Sequence, residues 1–191
     1  MRRTRLVLAT IALSALATVT PAAAQAGATA NVYRFADGSQ VAGAWSSLTT
    51  TDAGAEMTLQ TSELPAGHTV TVWWVVFNQP QNCSHPEAGL RCGPGDLPIF
   101  GGDDSAVTSI VYAAGHEVGA SGRATFAGHL GTGDTTGALF GLGLTNPTGA
   151  DIHLVVRDHG ALPPDQRADG IHHFGPCEPA CTNLQFSPHE Q

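Results

Sequence analysis

An all-β, antiparallel fold is the class that three features of this chain predict. Short β-rich runs alternate with turn clusters, glycine is abundant at 23 residues, and few stretches repeat apolar side chains at helical spacing. About seven or eight strands packed as a two-sheet sandwich satisfy that pattern, with a closed β-barrel as the alternative.

Taken in order, residues 31–35 form the first candidate strand. Residues 55–61 alternate, Ala55, Met57 and Leu59 against Glu56, Thr58 and Gln60, as a half-buried strand does. Residues 69–78, TVTVWWVVFN, are different: Trp73 and Val75 project one way, Trp74 and Val76 the other, and both faces are apolar. That pattern belongs to a central strand covered on two sides. It predicts that both tryptophans pack in the core and do not form a sugar-stacking platform. Pro80 and its polar neighbours stop the run, and residues 83–104 read as one Pro- and Gly-rich loop tied by a disulfide. Strands at 106–113 and 123–130 flank Gly119-Ala120-Ser121-Gly122, read as a hairpin turn. A short strand at 138–144 precedes the Asn146-Pro147-Thr148-Gly149 turn. Residues 151–158 alternate again, Ile152, Leu154 and Val156 against His153, Val155 and Arg157, and residues 183–187 close the domain as an edge strand. No repeat or linker divides residues 27–191, which read as a single β domain.

Residues 1–26 read as a signal peptide. Arg2, Arg3 and Arg5 precede an uncharged apolar run at 6–19, and Pro21 leads into the small-x-small pattern of residues 22–26. The run is shorter than the roughly 20 residues a membrane-spanning helix needs. The chain is therefore expected to be exported, periplasmic or extracellular, with no span in its mature part. That part keeps five arginines, no lysine and sixteen acidic residues, a formal net charge of −11. Such a surface repels nucleic acid and anionic lipid and is more compatible with a cation or a neutral small molecule.

Cys83, Cys92, Cys177 and Cys181 then fall in an oxidising compartment, where disulfides persist. Four cysteines allow three connectivities. The local pairs Cys83–Cys92 and Cys177–Cys181 are the most economical, because each brackets a turn-rich loop. Structural zinc sites place cysteines about two to four residues apart. Only the second pair has that spacing.

The stretches GHTVTVWWVVFNQPQNC (67–83), GLTNPTGADIHLVVRDHG (143–160) and CEPACTNLQFSPHE (177–190) resemble a group of uncharacterised secreted bacterial proteins. The resemblance implies export and a β domain, and no activity. At fold level the layout is also similar to small secreted sandwiches such as the chordin-type domain. The word IHHFGP (171–176) is similar to a stretch of the copper/zinc superoxide dismutases, but the paired-histidine strand and ligand spacing of that family are missing.

Nine histidines are the feature of greatest chemical interest, since imidazole is the commonest metal ligand. Extended backbone would hold His153 and His159 about 20 Å apart at roughly 3.3 Å per residue, so they share an ion only if the chain bends at Asp158. A hairpin centred on Ala120 and Ser121 keeps His116 and His129 apart. Adjacent His172 and His173 point to opposite faces. What survives is a cross-element set: His153 or His159 meeting His172 or His173 as the C-terminal segment folds back, with Asp151, Asp158 or Asp169 completing it. Copper or zinc is the ion such a set takes. Arg157, two residues from His159, offers a bidentate site for a carboxylate or other anion. The plainer readings are hydrogen-bonded loop histidines and an arginine paired with an acidic neighbour. His153, Arg157 and His159 are thus the candidate ligand-binding residues, and His153, His159, His172 and His173 the candidate metal ligands. No nucleophile elbow, H-E-x-x-H, P-loop, haem-attachment or EF-hand spacing is present. The expectation is an exported binding or structural module without enzymatic activity. A His-ligated copper or zinc protein is the alternative.

Overall fold

Period-two alternation along the chain becomes nine strands in the computed structural model, which describes residues 27–87 and 89–191. The leader assigned to residues 1–26 lies outside the described residues. The strands are β1 (Ala28–Arg34), β2 (Gln40–Thr51), β3 (Gly54–Thr61), β4 (Thr69–Phe77), β5 (Thr108–Glu117), β6 (Ala124–Gly131), β7 (Ala138–Phe140), β8 (Asp151–Asp158) and β9 (Thr182–His189). Among the described residues helix is confined to 3-10 turns at Pro80–Asn82, Pro94–Asp96 and Pro98–Phe100 and to α1 (Arg167–Gly170). Among the described residues no helix is long and apolar enough to cross a membrane.

All nine strands belong to one sheet, in the order β6-β3-β2-β1-β9-β8-β4-β5-β7. Every ladder is antiparallel. The all-β class is as expected; the layering differs, because a single sheet curls into a half-barrel where two stacked sheets were anticipated. The strand that makes the difference is β2, which the alternation did not reveal. Its twelve residues pair with β1 on one side and β3 on the other, joining what would be two sheets into one. It escapes a hydrophobic reading because Ser46 and Thr50 hold buried, inward positions beside Ala44 and Leu48.

A second difference concerns the turn at 119–122. The turn forms, with Gly122 N–H donating to Gly119 O, but β5 and β6 do not ladder across it. The β3–β4 connection is bonded there instead: Leu64 N–H donates to Gly122 O, and Val118 exchanges backbone bonds with Gly67 and His68. The sheet therefore stays open along that seam.

Strand β4 is covered on both faces, as its sequence requires. Val70, Val72, Trp74 and Val76 enter the inner core with Leu59, Phe126, Ile152 and Leu154. Trp73, Val75 and Phe77 enter an outer core roofed by Cys92, Leu97 and Ala106 on one side and Phe174 on the other. Trp73 and Trp74 are 4% and 0% exposed. Two disulfide-tied segments thus roof the outer face of β4 and β8. Their Cα separations, 5.2 Å for Cys83–Cys92 and 5.0 Å for Cys177–Cys181, suit the bonds the local pairing anticipated.

Candidate functional site

Strand β8 sends Asp151, His153, Val155 and Arg157 to the outer face, and the chain continues to His159 on the same side. At the far end the C-terminal segment does fold back. Phe174 meets Trp73 edge to face, with ring centroids 5.2 Å apart, and lies under the Arg157 guanidinium, 3.8 Å from its ring centroid. Arg157 Nε donates to Phe174 O (3.3 Å) and Nη1 to Asn183 Oδ1 (3.3 Å). No carboxylate pairs with Arg157 among the described residues. Burial pulls this guanidinium below its ordinary value.

His159 is fully buried and bonded through both nitrogens. Nδ1 lies 2.8 Å from Pro176 O, an acceptor only, so Nδ1 carries the hydrogen. Nε2, 2.8 Å from Thr71 Oγ1, then accepts the threonine hydroxyl, which in turn accepts Trp73 Nε1–H at 2.7 Å. Every polar atom of this chain is satisfied, and desolvation holds the imidazole below its ordinary value and neutral. Beside it stands sulfur: Cys181 Sγ is 3.6 Å from Nδ1.

The near end of β8 is drier. His153 packs its ring against Phe77, centroids 5.1 Å apart, and its Nε2 has no hydrogen-bond partner. Burial, with His189 nearby, pushes its pKa down to about 4. Asp151 is fully buried; Oδ1 accepts Gln191 N–H, Oδ2 accepts none, and Arg91 Nε stands 3.6 Å away. Burial, the leading cause, raises this carboxyl.

The four anticipated metal ligands are not brought together. His153 and His159 occupy opposite ends of β8. His172 and His173 are exposed on the fold-back, with His172 Nδ1 3.4 Å from Tyr112 Oη and His173 Nδ1 donating to Asp169 O. Among the described residues, only two groups place three metal-ligating atoms within 4.8 Å of one another: His159 with Cys177 and Cys181, and Cys83 with Cys92 and Asp96. The fold-back was anticipated; its contribution is sulfur in place of imidazole.

One further constellation looks catalytic and is not. Inside the half-barrel, Ser46 Oγ is 2.7 Å from both Ser187 Oγ and His189 Nε2. Ser187 donates to Asn31 O, so it must accept from Ser46, and Ser46 must accept from His189 Nε2–H. With its hydrogen on Nε2, His189 cannot serve as base for Ser46, and both residues are buried. Burial pushes His189 to about 4.

The outer face of β1, β2, β3 and β6 carries the remaining feature. Trp45 is 38% exposed there. Asn31 and Gln60 stand directly across from it on the flanking strands, and the next row holds Thr29, Ser47, Thr58 and Ala127. Ser47, Thr49, Thr58, Ala127 and Gly128 floor a trough of about 490 Å³ beside it. Glu56 and His129 close one end, 3.9 Å apart. Apolar alternation gives no signal for this exposed tryptophan, because its inward neighbour Ser46 is the polar one of the two. No family model, curated protein or solved structure matches the chain.

Proposed function

We propose that this is an exported, non-enzymatic binding module whose contact surface is the outer face of β1, β2, β3 and β6. The observation that carries the reading is Trp45, a large aromatic ring 38% exposed on a face whose nearest rows are mostly Asn, Gln, Ser and Thr. The adjoining trough has the size of a small-molecule site. An indole ring stacks on an apolar sugar face, and the flanking amides and hydroxyls donate to and accept from sugar hydroxyls. Glu56 and His129 face each other at one end, Arg123 stands beyond Gln60 at the other, and the acidic chain as a whole repels anionic polymers. A neutral, hydroxyl-rich ligand such as a polysaccharide chain fits best. The buried, tautomer-locked Ser46–His189 pair supports a non-enzymatic reading.

Retention on insoluble neutral polysaccharides (cellulose, chitin, xylan), with pectin as the anionic control, tests this. Wild type is expected to be retained on a neutral matrix, and Trp45→Ala to lose that retention by about tenfold or more, as loss of a central aromatic anchor does. Equal retention of the variant, or no retention of wild type on any neutral matrix, overturns it. For export, the amino terminus of secreted material is expected near Gln25 or Gly27, and an intact Met1 in that fraction would sink the leader assignment.

A further inference from the structure

The outer face of β1, β2, β3 and β6 and the fold-back over β8 are separate places, and the second has chemistry that the binding surface does not use. Residues 159 and 177–181 meet because the β8–β9 ladder ends at the pair Asp158 and Thr182, Glu178 N–H donates to His159 O, and His159 Nδ1–H donates to Pro176 O. This contact sets one imidazole nitrogen and two sulfurs within 4.8 Å of one another. We propose that reduction of Cys177–Cys181 turns this group into a Cys₂His site for a zinc-type d¹⁰ cation, with its fourth position open.

Geometry is the first support. Bonds of about 2.3 Å to sulfur and 2.0 Å to nitrogen, at the tetrahedral angle, place the two ligand atoms about 3.5 Å apart. His159 Nδ1 and Cys181 Sγ already stand 3.6 Å apart. Three residues separate the cysteines, within the spacing that lets two thiolates share one ion. The outer shell is also in place: a ligating histidine needs a partner on its other nitrogen, and Thr71 Oγ1, held by Trp73, stands at 2.8 Å from Nε2. Finally, Phe174 O and Pro176 O stand 3.7 and 3.8 Å from Cys181 Sγ, acceptors for its thiol hydrogen until the cation displaces it.

The chemistry balances. A dithiol donor gives two electrons and two protons to the Cys177–Cys181 bond, becomes a disulfide itself, and leaves two thiols. The cation then displaces one proton from each thiol. His159 stays neutral throughout: its hydrogen moves from Nδ1 to Nε2, where Thr71 Oγ1 accepts it with the threonine's own hydrogen rotated away, and the Pro176 carbonyl, 2.8 Å from Nδ1, swings aside to admit the cation. The second cysteine group does not qualify. Asp96 Oδ1 already accepts Ser84 N–H (2.7 Å) and His85 N–H (3.0 Å), Oδ2 accepts Gly93 N–H (3.0 Å), and eight residues separate Cys83 from Cys92, outside the metal-ligand spacing.

Cobalt(II) titration of the full chain, after dithiol reduction and removal of the reductant under anaerobic conditions, tests the proposal. One equivalent of cobalt is expected to produce thiolate-to-cobalt charge-transfer absorption and tetrahedral visible bands, both erased by zinc(II). The oxidised chain and the Cys177→Ser, Cys181→Ser variant should show neither, whereas Cys83→Ser, Cys92→Ser should retain both. His159→Gln should weaken binding by about tenfold or more, with circular dichroism confirming that each variant is folded. Absence of the bands in reduced, folded wild type overturns the proposal. So does their survival without Cys177 and Cys181, or equal binding by the oxidised chain.

Discussion

The two ends of β8 present the same side chain under two disulfide-tied roofs, with opposite results. His153 lies under the segment that carries Cys83–Cys92, against Phe77, with one nitrogen unpartnered. His159 lies under the segment that carries Cys177–Cys181, with both nitrogens bonded and a sulfur in contact. The roofs themselves differ in the same sense. The first is held by its own carboxylate: burial works against an ionised Asp96, but Gly93, Ser84 and His85 N–H groups outweigh it and keep its pKa low. The second has no such internal anchor and is held by bonds to the strands beneath. A roof that satisfies its own polar groups seals a dry site, whereas one that takes its partners from below builds a polar one.

The largest expected effect separates the dry end from the rest. Unfolded histidine titrates near 6.5, and folded His153 and His189 near 4. Between those values the unfolded chain binds more protons, so stability holds above about pH 6.5, falls with acid, and loses up to about 3 kcal/mol per histidine by pH 4. His153→Leu should remove its share of that loss. Urea melts at pH 7, 5.5 and 4 check this, and parallel curves for variant and wild type would break the account of a dry imidazole.

Next come the anchors. Asp96→Ala strips three backbone donors of their acceptor and should cost about 2–3 kcal/mol. His159→Leu orphans Thr71 and Pro176 O and should cost about 2 kcal/mol, read as a shift in urea midpoint at constant slope. Under the loop-entropy account, removing the 83–92 bond by double serine substitution should cost about 2.5 kcal/mol and removing the 177–181 bond about 2 kcal/mol, because the first closes the longer ring. A reversed order would show that native contacts dominate over loop closure. At pH 7, His153→Leu should change stability by less than about 1 kcal/mol, since an unpartnered polar atom is replaced by an apolar one. Trp45→Ala should likewise cost about 1 kcal/mol, because an indole 38% exposed in mid-strand still packs part of its ring.

Much of this molecule was legible in its residues. The bounds of β8 follow directly from Ile152, Leu154 and Val156 alternating with His153, Val155 and Arg157. The double burial of β4 follows from TVTVWWVVF, and both cysteine pairings follow from their spacing. Strand β2 was not legible, because its inward Ser46 and Thr50 are buried through bonds and packing with partners remote in sequence. Ser46 meets Ser187 and His189 more than 140 residues away. The fold-back over β8 could be anticipated from Gly160 to Gly170, but which of its side chains arrive at His159 could not.

The sequence by itself determined the all-β class, the buried tryptophans and the local cysteine pairs, since period, apolarity and short-range loop closure are properties of neighbouring residues. Only the tertiary structure decided that the strands form one curled sheet, that His153 is dry while His159 is bonded beside sulfur, and that Trp45 stands open. The physical reason is that a polar group's role depends on what satisfies it. For His159, Ser46 and Asp151 those partners come from strands and loops far along the chain.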